Sequence, residues 1–126
     1  MTLPRIIIAD DQDIYLTSLE VGLKREFAVD TAEKADELIK KVKEGAYDAV
    51  VTDNEMQDGR GYSGVYAIQE IRKFNPTIPI IMVSGTNLPL VHREVERHDG
   101  VFMPKPVDIL KLRDKLKEMI QKARRG

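Results

Sequence analysis

Cysteine is absent from the 126 residues of this sequence. Its absence excludes disulfide bonds, thiolate zinc sites and cysteine nucleophiles. A chain without disulfides fits a reducing compartment, and we expect the protein in the cytoplasm. The sequence also lacks a long hydrophobic run near its amino terminus, because Ile6-Ile7-Ile8 is too short for the core of a signal peptide or for a membrane span. We therefore expect no membrane insertion.

Net charge is also small. The formal value is −1, so nothing in the composition suggests direct binding to nucleic acid or to a membrane surface. The charge is uneven, however: residues 1–63 hold fourteen acidic and eight basic side chains, whereas residues 105–126 hold eight basic and three acidic ones. We interpret the basic end as a solvated helix face. A docking surface for an acidic partner is the alternative.

Short apolar runs alternate along the chain with segments of helical periodicity. The predicted strands span residues 5–9, 27–31, 49–53, 78–83 and 101–103. Such alternation predicts a parallel sheet that is covered by helices on both faces and connected by right-handed crossovers. At this length we expect one domain over residues 1–126. Its predicted fold is α/β, a flavodoxin-like (βα)5 three-layer sandwich with strand order 2-1-3-4-5.

The helix ends are predicted from residues that favour caps. Asp13 is expected to cap the first helix and Asp108 the last, whereas the second helix is expected to begin at Thr31 or Ala32. Periodicity assigns Leu16, Leu19, Leu23 and Phe27 to the buried face of the first helix. It assigns Leu112, Leu116, Met119, Ile120 and Ala123 to that of the last.

Polar side chains follow four of the five predicted strands. Asp10 and Asp11 follow the first strand, Asp53 ends the third, Ser84 follows the fourth and Lys105 follows the fifth. Because parallel strands end at one edge of the sheet, these side chains are expected to meet there. Two carboxylates about 4 Å apart repel by about 4 kcal/mol at an effective dielectric of 20, so the cluster must hold a proton, a cation or water. Oxygen ligands in a small site favour Mg²⁺.

The same edge carries groups suited to a phosphate. Lys105 offers a compact ammonium on a long stem, and the Ser84 hydroxyl and the Gly85 amide offer hydrogen-bond donors. Carboxylates are nucleophiles toward phosphorus, and phosphoryl transfer depends mostly on positioning and on neutralisation of charge. Asp53 lies on the central strand, between the other groups. We therefore predict that Asp53 accepts a phosphoryl group.

The spacing of Asp10-Asp11, Asp53, Ser84 and Lys105-Pro106 resembles that of the receiver domain of two-component response regulators, over essentially the whole chain. The resemblance implies that Asp53 is phosphorylated by a sensor histidine kinase, a histidine phosphotransfer protein or a small phosphodonor. It implies that Lys105 and Ser84 bind the phosphoryl group and that the Lys105-Pro106 peptide is cis.

The resemblance also implies a metal site and a switch. Asp11, Asp53 and the backbone carbonyl of Glu55 would bind Mg²⁺, with Asp10 helping through water. Phe102 matches the switch aromatic of the family and would act with Ser84. Phosphorylation would then change the surface of the fourth helix, fifth strand and fifth helix, through which a downstream protein is controlled. No output domain is expected in this chain.

Four features depart from the family pattern. Gln57 stands where a proline is usual, Gly85 stands where alanine is common, and Phe102 lacks the hydroxyl of a tyrosine. The loop from Asp53 to Gly64 is about three residues longer than usual and contains three glycines, which predicts flexibility. The long loop concerns the rate of dephosphorylation and the geometry of kinase docking, and leaves the acceptor unchanged. Because Phe102 has no hydroxyl, any switching is expected to depend on its burial and not on a tyrosine hydrogen bond.

Two other functions fit parts of the pattern. A Mg²⁺-dependent phosphotransferase, hydrolase or nuclease would use Asp10-Asp11 and Asp53-x-Glu55 as its metal cluster, as haloacid-dehalogenase-like and Toprim-like enzymes do. An adaptor that works without phosphorylation would keep the pocket unused. His92 and His98 are interpreted as surface residues, because neither has a ligand partner at metal spacing.

Overall fold

The computed structural model describes residues 2–59 and 61–125. Met1, Arg60 and Gly126, which the predicted domain of residues 1–126 includes, lie outside the described residues. The strands are β1 (Arg5–Ala9), β2 (Ala28–Ala32), β3 (Ala49–Thr52), β4 (Ile80–Ser84) and β5 (Val101–Pro104). The helices are α1 (Asp13–Leu23), α2 (Ala35–Glu44), α3 (Ser63–Phe74), α4 (Pro89–Arg97) and α5 (Ile109–Arg125). None of the described helices is both long and apolar enough to cross a bilayer.

The strands form one parallel sheet in the order β2-β1-β3-β4-β5, which confirms the predicted flavodoxin-like topology. The register is continuous across its centre: Ile7 of β1 lies beside Asp30 of β2 and Val50 of β3. Every residue of β3 and β4 is buried. Both strands are apolar along most of their length, as expected where helices cover both faces of a parallel sheet.

Alternate residues of each strand pack on opposite faces of the sheet, as the period of a strand requires. On β1, Ile7 and Ala9 join one core cluster with apolar residues of α2, α3 and α4. Ile6 and Ile8 join the other cluster, with residues of α1 and α5. The protein therefore has two apolar layers, divided by the sheet.

The structure contradicts the predicted starts of the first two helices. Asp13 is the first residue of α1 and not its cap; Gln12 occupies the cap position and makes no side-chain cap hydrogen bond. The second helix begins at Ala35, three to four residues later than expected. The reason is that the pairing of β2 with β1 continues to Ala32, whose carbonyl accepts a hydrogen bond from the Asp10 amide. Backbone pairing thus outweighs the local helix signal.

The last helix agrees better with its prediction. The Asp108 carboxylate accepts hydrogen bonds from the Leu110 and Lys111 amides, which confirms it as the cap. Leu112, Leu116 and Ile120 are buried and Met119 is partly buried, but Ala123 is exposed. The final turn of α5 therefore extends past the core. Phe27, assigned to the face of the first helix, is buried but lies four residues beyond its last residue.

Several bases of α5 pair with acids of neighbouring elements. Arg113 and Lys117 contact Glu26, and Arg124 lies 3.5 Å from Asp48. Part of the basic charge near the carboxyl end is therefore neutralised within the protein. These partly exposed pairs add little stability, but they reduce the charge that α5 presents to a partner.

Candidate functional site

The carboxyl ends of β1, β3, β4 and β5 surround a cleft of about 380 Å³. The cleft is lined by Asp11, Gln12, Asp53, Glu55, Gln57, Ser84, Gly85, Thr86 and Lys105. The expected meeting of side chains at one edge of the sheet is therefore observed. Asp10 joins them through direct contact with Lys105. Phe102 does not line the cleft and packs, partly buried, against the core cluster that includes residues of α2, α3 and α4.

Three carboxylates form the acidic side of this cleft. One oxygen each of Asp10, Asp11 and Asp53 lies within 4.8 Å of the other two. Asp10 and Asp53 are buried, whereas Asp11 is half-buried. Among the residues that the structure describes, Lys105 supplies the one ammonium in contact with this cluster, which does not balance three acids. The donors are all hard oxygen atoms. The donor set therefore fits a hard divalent cation such as Mg²⁺.

The Lys105 ammonium forms ion pairs with two of these acids, Asp10 and Asp53. Its Nζ lies 2.9 Å from Asp10 Oδ2 and 3.2 Å from Asp53 Oδ2. Burial lowers the pKa of Lys105, but its two carboxylate partners outweigh burial, so the pKa is raised overall. The lysine therefore remains charged at neutral pH. Its backbone amide donates to the Ser84 carbonyl, and its peptide bond to Pro106 is cis, as the resemblance implied.

Asp53 follows the last residue of β3 and points its carboxylate into the cleft. Its Oδ1 accepts a 2.7 Å hydrogen bond from the Asn54 amide, and its Oδ2 accepts one from Lys105. Burial raises the pKa of Asp53, and the neighbouring Asp10 adds to the effect while Lys105 opposes it. Burial and the neighbouring acid therefore disfavour the charged form of Asp53, and a cation bound beside it would favour that form.

Both carboxylate oxygens of Asp10 already accept hydrogen bonds from other groups of the protein. Its Oδ1 accepts a 2.9 Å hydrogen bond from the Gln12 amide at the start of α1, and its Oδ2 accepts from Lys105. Asp11, in contrast, lines the cleft directly. The two adjacent acids therefore differ in position: one supports the lysine and α1, and the other faces the cleft.

Ser84 is the last residue of β4 and is only 3% exposed. Its Oγ accepts a 3.3 Å hydrogen bond from the Thr86 amide, an arrangement that leaves the hydroxyl hydrogen able to donate. Gly85 follows on the cleft wall, where a Cβ would meet nothing within 4 Å. An alanine side chain would therefore fit at position 85, and no steric clash explains why glycine stands there.

A model of the response regulator receiver domain matches residues 6–117 of the chain. The chain belongs to this family. Receiver domains of this kind are signalling domains of two-component systems, so the alternative of a phosphotransferase or hydrolase with a separate substrate gains no support from the family match.

Individual relatives agree with this assignment. The DNA-binding transcriptional regulator NtrC of Bradyrhizobium sp. (strain RP501 Parasponia) is 31% identical over 109 residues, which are 85% of this chain and 22% of that protein. NtrC of Azospirillum brasilense is 32% identical over 89% of this chain and 23% of its own length. The receiver chain thus spans less than a quarter of either relative.

Solved structures give the same fold. A CheY-like response regulator receiver domain protein from Methanospirillum hungatei JF-1 is 25% identical, with a TM-score of 0.91 over 98% of both chains. The signal receiver domain of an HD domain-containing protein from Pseudomonas fluorescens Pf-5 is 16% identical, with a TM-score of 0.88 over 98% of this chain and 99% of that one. The second likeness concerns the fold alone.

The loop after Asp53, which was predicted to be flexible, is anchored to this receiver at several points. Met56 is buried in the core, and the Asp58 carboxylate accepts hydrogen bonds from the Ala35 amide of α2 and the Ser63 hydroxyl of α3. Gly64 packs so closely that a Cβ there would lie 2.2 Å from the Asp53 carbonyl oxygen. Met56, Asp58 and Gly64 therefore hold parts of this loop against the core, the start of α2 and the start of α3.

Sequence reasoning missed two aromatic contacts of the receiver. The Lys105 Nζ lies 4.3 Å from the centroid of the Tyr15 ring, and the His92 ring stacks on Phe102. His92 and His98, which were interpreted as surface residues, are both partly exposed. No spacing rule marks these contacts, since each joins residues from separate elements.

Proposed function

We propose that this receiver accepts a phosphoryl group on Asp53 from a histidine kinase, a histidine phosphotransfer protein or a small phosphodonor. The observation that carries the proposal is the position of the Asp53 carboxylate, bonded to Lys105 on one side and adjacent to Asp10 and Asp11 on the other. This arrangement combines a nucleophile, a cation for the phosphoryl oxygens and a place for a second cation.

In the proposed reaction an Asp53 carboxylate oxygen attacks the donor phosphorus and forms an acyl phosphate. The bond from phosphorus to the donor nitrogen or oxygen breaks, and its electron pair leaves with the donor. Lys105, the Ser84 hydroxyl and the Gly85 amide bind the phosphoryl oxygens. Hydrolysis of the acyl phosphate then restores the carboxylate, so the chain works as a phosphoacceptor with autocatalytic transfer and dephosphorylation only.

A divalent ion would complete the charge balance. Asp11, Asp53 and the Glu55 backbone carbonyl would hold Mg²⁺, with Asp10 assisting through water. Bound there, Mg²⁺ supplies positive charge that offsets the carboxylates and the incoming phosphoryl group. Asp53 retains its hydrogen bond from Asn54, which fixes the direction of the carboxylate throughout.

The proposed output is a change of the surface formed by α4, β5 and α5. Ser84 moves toward the phosphoryl group, and Phe102 follows by changing its packing against α4. A downstream protein, and not nucleic acid, reads this surface. We propose further that residues 1–126 act as one receiver unit in the cytoplasm.

Mass spectrometry of the intact protein tests the proposal. Wild type incubated with acetyl phosphate and Mg²⁺ is expected to gain one phosphoryl group, and Asp53→Asn is expected to gain none. Asp13→Asn, which changes an exposed acid of α1, serves as the matched control and should be phosphorylated like wild type. An adduct of the same yield on Asp53→Asn would refute the assignment of the acceptor.

A further inference from the structure

Tyr15 forms a wall of the lysine site that the family pattern does not include among the site residues. It lies in the first turn of α1 and packs, partly buried, against the core cluster on the α1–α5 face. The Lys105 Nζ lies 4.3 Å from its ring centroid. The ammonium is therefore held by two carboxylates and one aromatic face.

An ammonium within about 6 Å of an aromatic centroid is attracted to the ring face, and the attraction grows as water is removed. The Lys105 side chain is only 19% exposed, which places this contact among the stronger cases. The Tyr15 hydroxyl has no hydrogen-bond partner among the described residues, although the Val107 backbone lies near it. The ring face, and not the hydroxyl, is the part that Lys105 contacts.

The contacts that Lys105 makes with carboxylates and with the Tyr15 ring respond differently to phosphoryl transfer. Asp53 loses a carboxylate charge when its oxygen bonds to phosphorus, so one of the two ionic contacts of Lys105 changes during the reaction. The attraction to the Tyr15 ring does not depend on the state of Asp53. A contact of this kind keeps the ammonium at the cleft in both states.

We infer that Tyr15 is a positioning residue that holds the Lys105 ammonium in place for phosphoryl transfer to Asp53. The inference rests on the proposed function of Asp53. The competing interpretation is that Tyr15 only fills space against the core, in which case any apolar side chain of similar size would serve.

Two substitutions distinguish the effect of the aromatic face of Tyr15 from the effect of its size. Tyr15→Phe keeps the aromatic face and removes the hydroxyl, whereas Tyr15→Leu keeps an apolar side chain and removes the ring. With saturating acetyl phosphate and Mg²⁺, we expect Tyr15→Leu to be phosphorylated about tenfold more slowly than wild type. Tyr15→Phe should stay within about twofold, because the ring attraction remains. Mg²⁺ affinity should not change in either variant.

The chemical shift of the Lys105 ε-methylene protons shows whether the Tyr15 ring lies against this side chain in solution. Slow phosphorylation of Tyr15→Leu together with a near-normal rate for Tyr15→Phe is the result that a space-filling role would not give. In wild type and Tyr15→Phe we expect an upfield ring-current shift, and in Tyr15→Leu its loss; a Lys105→Arg variant assigns the resonance. Equal phosphorylation rates for all three proteins, or equal slowing in Tyr15→Phe and Tyr15→Leu, would overturn the inference. If wild type itself gains no phosphoryl group, the proposed function fails instead, and the ε-methylene shifts still decide whether the Tyr15 ring contacts Lys105.

Discussion

The His92 imidazole stacks on the Phe102 ring, with the two centroids 3.8 Å apart and the planes inclined by 28°. His92 belongs to α4 and Phe102 to β5, so the stack joins two elements of the proposed output surface. His92 Nε2 also lies 3.4 Å from the Thr86 carbonyl, two residues beyond Ser84. One imidazole therefore contacts the candidate switch aromatic and the loop that carries the candidate switch serine.

This stack predicts a response that NMR can detect. On addition of Mg²⁺ and beryllofluoride, we expect the His92 ring protons to move toward the positions of an unstacked imidazole, because Phe102 leaves its place beside α4. His98, which pairs with Glu94, is the matched control and should move little. Unchanged His92 resonances in a protein whose Asp53 neighbours do respond would show that Phe102 stays in place.

A second prediction concerns the metal site. Asp11→Asn removes one charge from the carboxylate cluster, and the affinity for Mg²⁺ depends on the number of charged ligands. We expect Mg²⁺ to bind about tenfold more weakly or worse, as measured by titration calorimetry. Asp13→Asn removes an exposed acid two residues away and should bind Mg²⁺ like wild type. Equal affinities for the two variants would place the ion elsewhere.

Arg72 provides a prediction about stability. Its guanidinium donates to the carbonyls of His98, Asn75 and Ile78 at 2.7, 3.2 and 2.8 Å, and so ties the end of α3 to the end of α4 and to the chain before β4. Arg72→Ala leaves these carbonyls without their donor, and we expect the free energy of unfolding in urea to fall by about 2–4 kcal/mol.

Two variants sharpen the Arg72 experiment. Lys73→Ala removes an exposed neighbour in the same helix turn and should change the free energy of unfolding by less than about 0.5 kcal/mol. Arg72→Lys keeps the charge but cannot reproduce the planar set of donors, so its stability should lie between wild type and alanine. A lysine variant as stable as wild type would mean that charge, and not the three hydrogen bonds, accounts for the effect.

The pair of Tyr47 and Asp30 predicts a pH dependence. The Tyr47 hydroxyl donates to Asp30 Oδ2 at 2.6 Å. This bond is the main reason that the pKa of Asp30 lies below its ordinary value of 3.8, with Arg5 contributing. A lowered carboxyl pKa stabilises the folded state above the ordinary value, and that stability is lost as pH falls through the folded-state value. Tyr47→Phe should therefore cost about 1 kcal/mol at pH 7.

The cost of Tyr47→Phe should shrink at a pH below the folded-state pKa of Asp30, where the acid is protonated in both proteins. At alkaline pH, burial and then the same contact with Asp30 raise the pKa of Tyr47 to about 12, so stability is lost as pH rises from about 10 toward that value. Urea unfolding at several pH values measures both effects, with Tyr62→Phe as an exposed control. A cost that does not depend on pH would contradict the assignment.

The strand order and the meeting of the site residues were predictable because both follow from patterns that span the whole chain. Five apolar runs with helices between them leave few arrangements for a parallel sheet. Asp53, Ser84 and Lys105 then reach one edge of it without any knowledge of side-chain packing. Their roles in phosphoryl transfer stay predictions that the experiments above address.

The helix starts were harder to predict, because local and long-range interactions compete there. Residues 31–34 contain good signals for a helix start, yet the pairing of Ala32 with Ala9 keeps β2 extended. Tyr15 and His92 were missed for a related reason. Each contacts a residue on another element, Lys105 or Phe102, and no periodicity within a single helix reveals such a partner.

Tyr15 and Phe102 pack against different core clusters, on opposite faces of the sheet. Substitutions at separated sites without shared partners usually have additive effects. In the proposed mechanism, substitutions around Tyr15 are therefore expected to act mainly on the rate at which Asp53 is loaded, and substitutions around Phe102 mainly on the response of α4. The sheet would then separate two layers that selection or design can adjust with little effect on each other.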